Sequence, residues 1–156
     1  GMAVPLNGVA QGFITDHIAA WLKTKGFETV LLNLGETLGL GGHPSGRPWR
    51  MGILDPHRAS GIHHMVELRN RAMATSGGYG TRFSPAGRHH HLFDPGTGAS
   101  PGHFASVTVL APDATTADAL STAIAVMPED RARKCLETMK DCRAYIIHKD
   151  GGGTFL

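Results

Sequence analysis

Short apolar runs separated by glycine and proline are the feature of this sequence that most restricts its fold. Turn pairs such as Asp55-Pro56, Gly77-Gly78 and Asp94-Pro95 stand at or near the ends of such runs. Glycine and proline supply 21 and 9 of the 156 residues, which argues against a coiled coil or a long helical bundle. The runs read as strands at 28–34, 48–54, 62–68, 72–76, 88–93, 105–110 and 145–149.

Three further segments have the pattern of helices. They span 9–25, 116–127 and 128–140. Gly26 ends the first, and Pro128 suits the first turn of the third. Helices and strands do not alternate regularly, so the order predicts an α+β fold in one domain. We expect mostly antiparallel sheets with flanking helices.

The glycine-rich segment 35–46 (GETLGLGGHPSG) is not a dinucleotide-binding loop. That fingerprint requires G-x-G-x-x-G between a strand and a helix, whereas Pro44 occupies the third glycine position and a predicted strand follows. We therefore interpret this segment as a hairpin connection and exclude a Rossmann fold.

Charge and hydropathy exclude two classes of partner. The net charge is only +2, with no stripe of lysine and arginine, which argues against nucleic-acid binding. No apolar run approaches the length of a transmembrane helix, about 18 residues. Gly1 before Met2 is typical of a tag remnant, and no export signal is visible.

Histidines are abundant and clustered, with ten in the chain. Adjacent histidines on a strand point to opposite faces, so His63-His64 or His89-His90-His91 cannot all bind one metal ion. Spacing indicates no third zinc ligand. A histidine-rich, metal-sequestering protein nevertheless remains one alternative.

A second histidine-containing segment favours a catalytic role. The predicted strand 88–93 carries His90 and His91 into a tight turn at Asp94, where two glycines allow a ligand close to the backbone. An acid and a base that converge at the end of a strand form a plausible reaction centre.

The predicted helix 116–127 carries a polar group among alanines. Asp118 and Thr122 are four residues apart, with Ser121 beside them. One carboxylate with hydroxyls suits a hard cation such as Mg²⁺, completed by carbonyls, water and phosphate. The alternative is helix capping, with Thr115 or Thr116 as N-cap and Asp118 in the first turn.

Six segments, in this order, resemble the ApbE-type flavin transferase family. They are 6–13, 32–36, 46–50, 74–77, 90–98 and 117–123. The resemblance implies an ApbE-like, T-fold-related architecture. It also implies that residues 1–156 are the C-terminal portion of that domain, with the N-terminal half missing.

The resemblance assigns site residues. Metal-binding roles fall on Asp118, Thr122, Ser121 and a main-chain carbonyl near Gly8. Contacts with the flavin nucleotide fall on Gln11 and Leu92, with Thr75, Ser76 and Gly77 supplying backbone and hydroxyl groups nearby. The reacting pyrophosphate would be lined by His91, His90 and Asp94.

The implied activity is Mg²⁺-dependent transfer of FMN from FAD to a threonine or serine of an acceptor protein, with release of AMP. Members of the family are commonly exported, but the compartment of this chain is open. Pro5 and Gln11 stand where the family usually has aspartate and lysine. The alternative is a truncated, catalytically silent module that binds flavin or metal and oligomerises or pairs with a partner half.

Overall fold

The computed structural model describes residues 6–58, 60–83 and 89–156, which contain three helices and eight strands. The helices are α1 (Ala10–Thr24), α2 (Ala114–Ala125) and α3 (Glu129–Glu137). The strands are β1 (Val30–Asn33), β2 (Thr37–Leu40), β3 (Trp49–Leu54), β4 (Ile62–Leu68), β5 (Arg71–Ser76), β6 (Ser106–Ala111), β7 (Arg143–Ile147) and β8 (Gly153–Phe155).

Six of these strands form one antiparallel sheet in the order β1-β2-β5-β6-β7-β8, and β3 and β4 form a separate hairpin. This arrangement confirms the predicted α+β class. None of the helices in the described ranges is long and apolar enough to cross a bilayer.

The two faces of the large sheet pack against different layers. Side chains alternate along a strand, so Val107 and Val109 of β6 join the core beneath the helices. The residue after Val109, Leu110, points to the opposite face and joins a second core with Met73, closed by Ile53 of the β3–β4 hairpin. The sheet is therefore buried on both sides, with α1 and α2 on one side and the hairpin on the other.

Three local predictions are wrong. The expected connection 35–46 contains β2, whose four residues are all buried. This strand includes Gly39, where an added Cβ would lie 2.9 Å from the Trp49 ring, so glycine serves close packing there. The last predicted strand ends at residue 149, but a further strand, β8, follows it. Residues 89–93 form no strand, only an isolated bridge from His90 to Arg82, and residue 88 lies outside the described ranges.

Helix α1 confirms the predicted segment but has an unusual distribution of side-chain size. Its buried residues are the small Gly12, Thr15 and Ala19. Its large apolar residues face outward, with Phe13 61 % and Trp21 56 % exposed. Small buried residues let α1 approach α2 closely, and the outward residues form an apolar surface, the α1 outer stripe (Phe13, Ile14 and Trp21).

Candidate functional site

The start of α2 is held by two aspartates. Asp113 is the N-cap and accepts a hydrogen bond of 2.7 Å from the backbone N–H of Thr116. Asp16 of α1 accepts hydrogen bonds of 2.8 Å from the backbone N–H groups of Ala114 and Thr115. The capping alternative for Thr115 or Thr116 is therefore wrong, because both donate to these aspartates.

Asp118 does not cap α2, and its side chain points from α2 towards α1. Its Oδ2 accepts a hydrogen bond of 2.9 Å from the backbone N–H of Gly12, and the residue is 4 % exposed. Burial raises the pKa of this carboxyl, while the bond from Gly12 opposes the rise. A Cβ at position 12 would lie 2.8 Å from the Asp118 Cβ, so this approach requires glycine.

A second buried acid, Glu36, lies beside Asp118. It is 8 % exposed and comes directly before β2. Burial and the charge of Asp118 raise the pKa of Glu36 to about 7, although a hydrogen bond from the backbone of Thr75 opposes the shift. The ionised form of Asp118 therefore disfavours the ionised form of Glu36.

Three hydroxyls gather next to these acids. Ser76 Oγ, at the end of β5, lies 2.9 Å from Ser121 Oγ and 3.2 Å from Thr122 Oγ1. Ser121 Oγ also donates to the main-chain oxygen of Asp118 at 3.0 Å. Gly8 lies against Thr122, since a Cβ added at Gly8 would be 3.1 Å from Thr122 Oγ1. The oxygen cluster thus comprises Gly8, Glu36, Ser76, Asp118, Ser121 and Thr122.

The oxygen cluster has the donor chemistry of a site for a hard cation. It offers carboxylates and hydroxyls, without sulfur or imidazole. Neither Glu36 nor Asp118 has an ion-pair partner within residues 6–58, 60–83 and 89–156. No three acids, histidines or cysteines gather at one point in those ranges. The cluster instead combines two acids with neutral oxygens, and the residues fit Mg²⁺.

Gln11, next in the chain to Gly12, is exposed at the rim of the oxygen cluster, and Thr75 is exposed as well but its side chain lies on the opposite face of the sheet. Gly35, in the turn between β1 and β2, has a φ of +107° and lies against Gln11. A Cβ at Gly35 would lie 2.8 Å from Gln11 Nε2, so this turn and α1 hold the amide side chain between them. Thr75 Oγ1 pairs with Thr108 Oγ1 at 2.8 Å, on the sheet face away from the helices.

The histidines predicted to act in catalysis have different surroundings. His90 is buried, its Nε2 lies 3.0 Å from the oxygen of Pro101, and its Nδ1 accepts from the Leu92 N–H at 3.3 Å. Its Nε2 therefore donates to Pro101. His91 is exposed, with Nδ1 3.4 Å from the oxygen of Thr81, and the two rings are 6.4 Å apart.

Leu92 and Asp94 have local structural contacts. Leu92 is buried in the core beneath the helices. Asp94 Oδ1 accepts from the Gly96 N–H at 2.8 Å, a turn-forming bond. Across the described ranges, no hydrogen bond or ion pair links His90, His91 or Asp94 to the oxygen cluster.

His90 also lines a cleft of about 180 Å³. Arg82 and Lys149 line it together with Tyr79 and Phe104. Cationic and aromatic side chains around an opening of this size suit a group that carries phosphate and an aromatic ring.

The other histidine pair does not favour metal sequestration. His63 Nδ1 lies 3.1 Å from the hydroxyl of Tyr145, and its Nε2 lies 2.9 Å from the oxygen of Gly151. His64 stacks on the ring of Tyr145, with centroids 4.7 Å apart. Both side chains take part in packing around β7.

Glu36 is the site residue that sequence reasoning missed. Its segment matches the family, but an acid in a glycine-rich stretch suggests a solvated turn. The available signal was alternation: Glu36, Leu38 and Leu40 share one side of β2, and the two leucines belong to the core beneath the helices.

Comparisons with known proteins agree with this architecture. The model of the ApbE family matches residues 1–146. A protein of Haemophilus influenzae named FAD:protein FMN transferase is 35 % identical over 154 residues, covering 96 % of this chain and 44 % of its own length. An Escherichia coli protein of the same name is 31 % identical, covering 95 % of this chain and 43 % of its own length.

Solved structures give the same result. The ApbE protein from Thermotoga maritima superposes with a TM-score of 0.87 at 31 % identity, covering 97 % of this chain and 50 % of its own. The flavin transferase ApbE from Vibrio cholerae gives a TM-score of 0.80 at 33 % identity, covering 98 % of this chain and 50 % of its own. This chain thus spans about half the length of these relatives, and it belongs to the ApbE family.

Proposed function

We propose that this chain is the cation- and pyrophosphate-binding portion of an FAD:protein FMN transferase. The reaction transfers FMN from FAD to a threonine or serine hydroxyl of an acceptor protein and releases AMP. The relatives named above have this activity in their names, and the oxygen cluster is the observation that carries the proposal.

Asp118, Thr122, Ser121 and the carbonyl near Gly8 would hold Mg²⁺. A divalent cation there would neutralise pyrophosphate charge and make the phosphorus more electrophilic. Ser76 orients the two α2 hydroxyls through its hydrogen bonds. Ser76 ends β5, and Ser121 and Thr122 lie on α2; both elements belong to the core beneath the helices, so these hydroxyls are preorganised.

Other residues of the chain would bind and orient the flavin nucleotide. Gln11 is exposed at the rim, where its amide can donate to a phosphate oxygen in place of the family's lysine. The Ser76 side chain belongs to the cluster, and the backbone at Ser76 and Gly77 would contact the flavin nucleotide. Leu92 would contribute an apolar contact from its own loop.

His91 is the better candidate for general base of the two loop histidines. His90 donates through Nε2 to Pro101 and accepts through Nδ1, so both nitrogens are occupied. In His91, a proton on Nδ1 directed at Thr81 leaves Nε2 as the acceptor. The acceptor hydroxyl would lose its proton to His91 as its oxygen bonds to the FMN phosphorus. The bond from that phosphorus to the AMP phosphate oxygen then breaks.

The test is covalent transfer itself. The chain, FAD and Mg²⁺ are incubated with an acceptor protein that carries a target threonine. We expect flavin fluorescence on the denatured acceptor and a mass increase of one FMN unit. FMN in place of FAD should give none, because it lacks the phosphoanhydride that drives transfer. If a full-length relative labels this acceptor and the chain does not, the chain alone has no transferase activity.

The second candidate is a silent module that associates with another copy or a partner half. The α1 outer stripe favours it, because three large apolar side chains on one helix face are more than half exposed. Such a surface gains free energy when it is covered, at about 25 cal/mol per Å² of apolar area.

Self-association can be measured by sedimentation velocity. We expect the parent chain to sediment as a concentration-dependent oligomer and Trp21→Lys to shift it towards monomer. Ile62→Lys is the control, since Ile62 is 60 % exposed on β4, outside the stripe. A parent chain that is monomeric at all concentrations would argue against association through this surface.

A further inference from the structure

We infer that Glu36 supplies a second carboxylate to the divalent cation of the oxygen cluster, either as a ligand or through a bound water. The inference rests on the proposed cation site and adds a residue to which the family resemblance gave no role. It concerns metal affinity and stands apart from the transfer reaction.

The backbone directs Glu36 to the cluster. Glu36, Leu38 and Leu40 alternate to the helix side of the sheet, as do Ala72 and Ala74 of β5. Thr37 of β2 pairs with Met73, which brings Glu36 beside the end of β5, where Ser76 joins the cluster. A hydrogen bond from the Thr75 backbone holds the carboxyl there.

Burial makes two neighbouring negative charges unfavourable at this position, and a bound cation would neutralise them. Glu36 and Asp118 are both more than nine-tenths buried, and the described residues provide no arginine or lysine partner for either. Two ionised buried carboxylates repel each other and lose hydration. A bound divalent cation matches the two negative charges, whereas Asp118 alone would leave a net positive site.

Metal affinity of the chain without flavin or acceptor tests the inference, with Mn²⁺ as a paramagnetic probe titrated by EPR at pH 8. We expect Glu36→Gln, which keeps the side-chain volume, to weaken Mn²⁺ binding about 10- to 100-fold. Glu67→Gln is the matched control, because Glu67 is exposed on β4 and undergoes the same loss of charge. The control should keep the parent affinity.

A thermal melt of each metal-free protein separates binding from misfolding. We expect Glu36→Gln to melt no lower than the parent at pH 8, since it removes a buried repelling charge. Parent affinity in Glu36→Gln would overturn the inference, and so would weakened binding with a lower melting temperature, because that marks a structural role. If the parent itself binds no Mn²⁺, the proposed cation site fails and the inference fails with it. Loss of binding in Asp118→Asn but not in Glu36→Gln leaves the site standing and removes Glu36 from it.

Discussion

Asp118→Asn is expected to weaken divalent-cation binding by at least about 100-fold and to lower covalent flavin transfer by a similar factor. Asp118 is the charged member of the ligand set that the family resemblance implies, and the remaining ligands are hydroxyls and a carbonyl. An asparagine oxygen can still accept the hydrogen bond from Gly12, so the contact between α1 and α2 should survive. The result should therefore be a folded protein with an impaired site.

Mn²⁺ titration and acceptor labelling measure the two effects separately. Asp130→Asn is the matched control, because Asp130 is exposed in the first turn of α3, outside the oxygen cluster. Circular dichroism should show the parent helix content in both variants. An Asp118→Asn protein with parental Mn²⁺ affinity would contradict the assignment of Asp118 to the metal.

Local pattern predicted most of the helices and the central strands because their signals are short-range. Periodicity located α1, and a run rich in β-branched residues located β6. β2 was missed because Gly39 and the flanking Gly35, Gly41 and Gly42 suggest a loop, while its burial depends on packing against Trp49 from another layer. Residues 89–93 have strand-like composition but no paired neighbour beyond one bridge. Pairing is a tertiary property that local composition does not contain.

The candidate site also has residues that the sequence predicts and residues whose role depends on tertiary structure. Asp118, Ser121 and Thr122 share a helix face, and this relation is visible from their spacing alone. The contribution of Glu36 depends on where the β1–β2 turn meets α1 and β5, which no spacing within the segment reveals. The placement of the histidine loop relative to the oxygen cluster also depends on tertiary structure. In the proposed function, the bound pyrophosphate would connect the histidine loop with the oxygen cluster.

Metal-free stability should fall as the pH rises from about 5 to 8, and Glu36 should account for much of this fall. Its pKa is near 4.5 in the unfolded chain and about 7 in the folded one. The folded state therefore holds this proton more tightly, so the loss begins above pH 4.5 and is complete above pH 7. A pKa unit corresponds to 1.36 kcal/mol, and solvent screening leaves an expected loss of about 2 kcal/mol. The raised pKa of Asp118 acts in the same direction.

Urea denaturation in EDTA at pH 5 and pH 8 measures this loss, and the informative quantity is the difference between parent and Glu36→Gln. Other groups titrate equally in both proteins and cancel, so the variant should be less sensitive to pH by about 2 kcal/mol. Glu67→Gln should retain the parent dependence. Excess Mg²⁺ should stabilise the parent more at pH 8 than at pH 5, because the cation competes with protons for the same carboxylates. Identical pH dependence in parent and Glu36→Gln would show that Glu36 ionises freely in the folded chain.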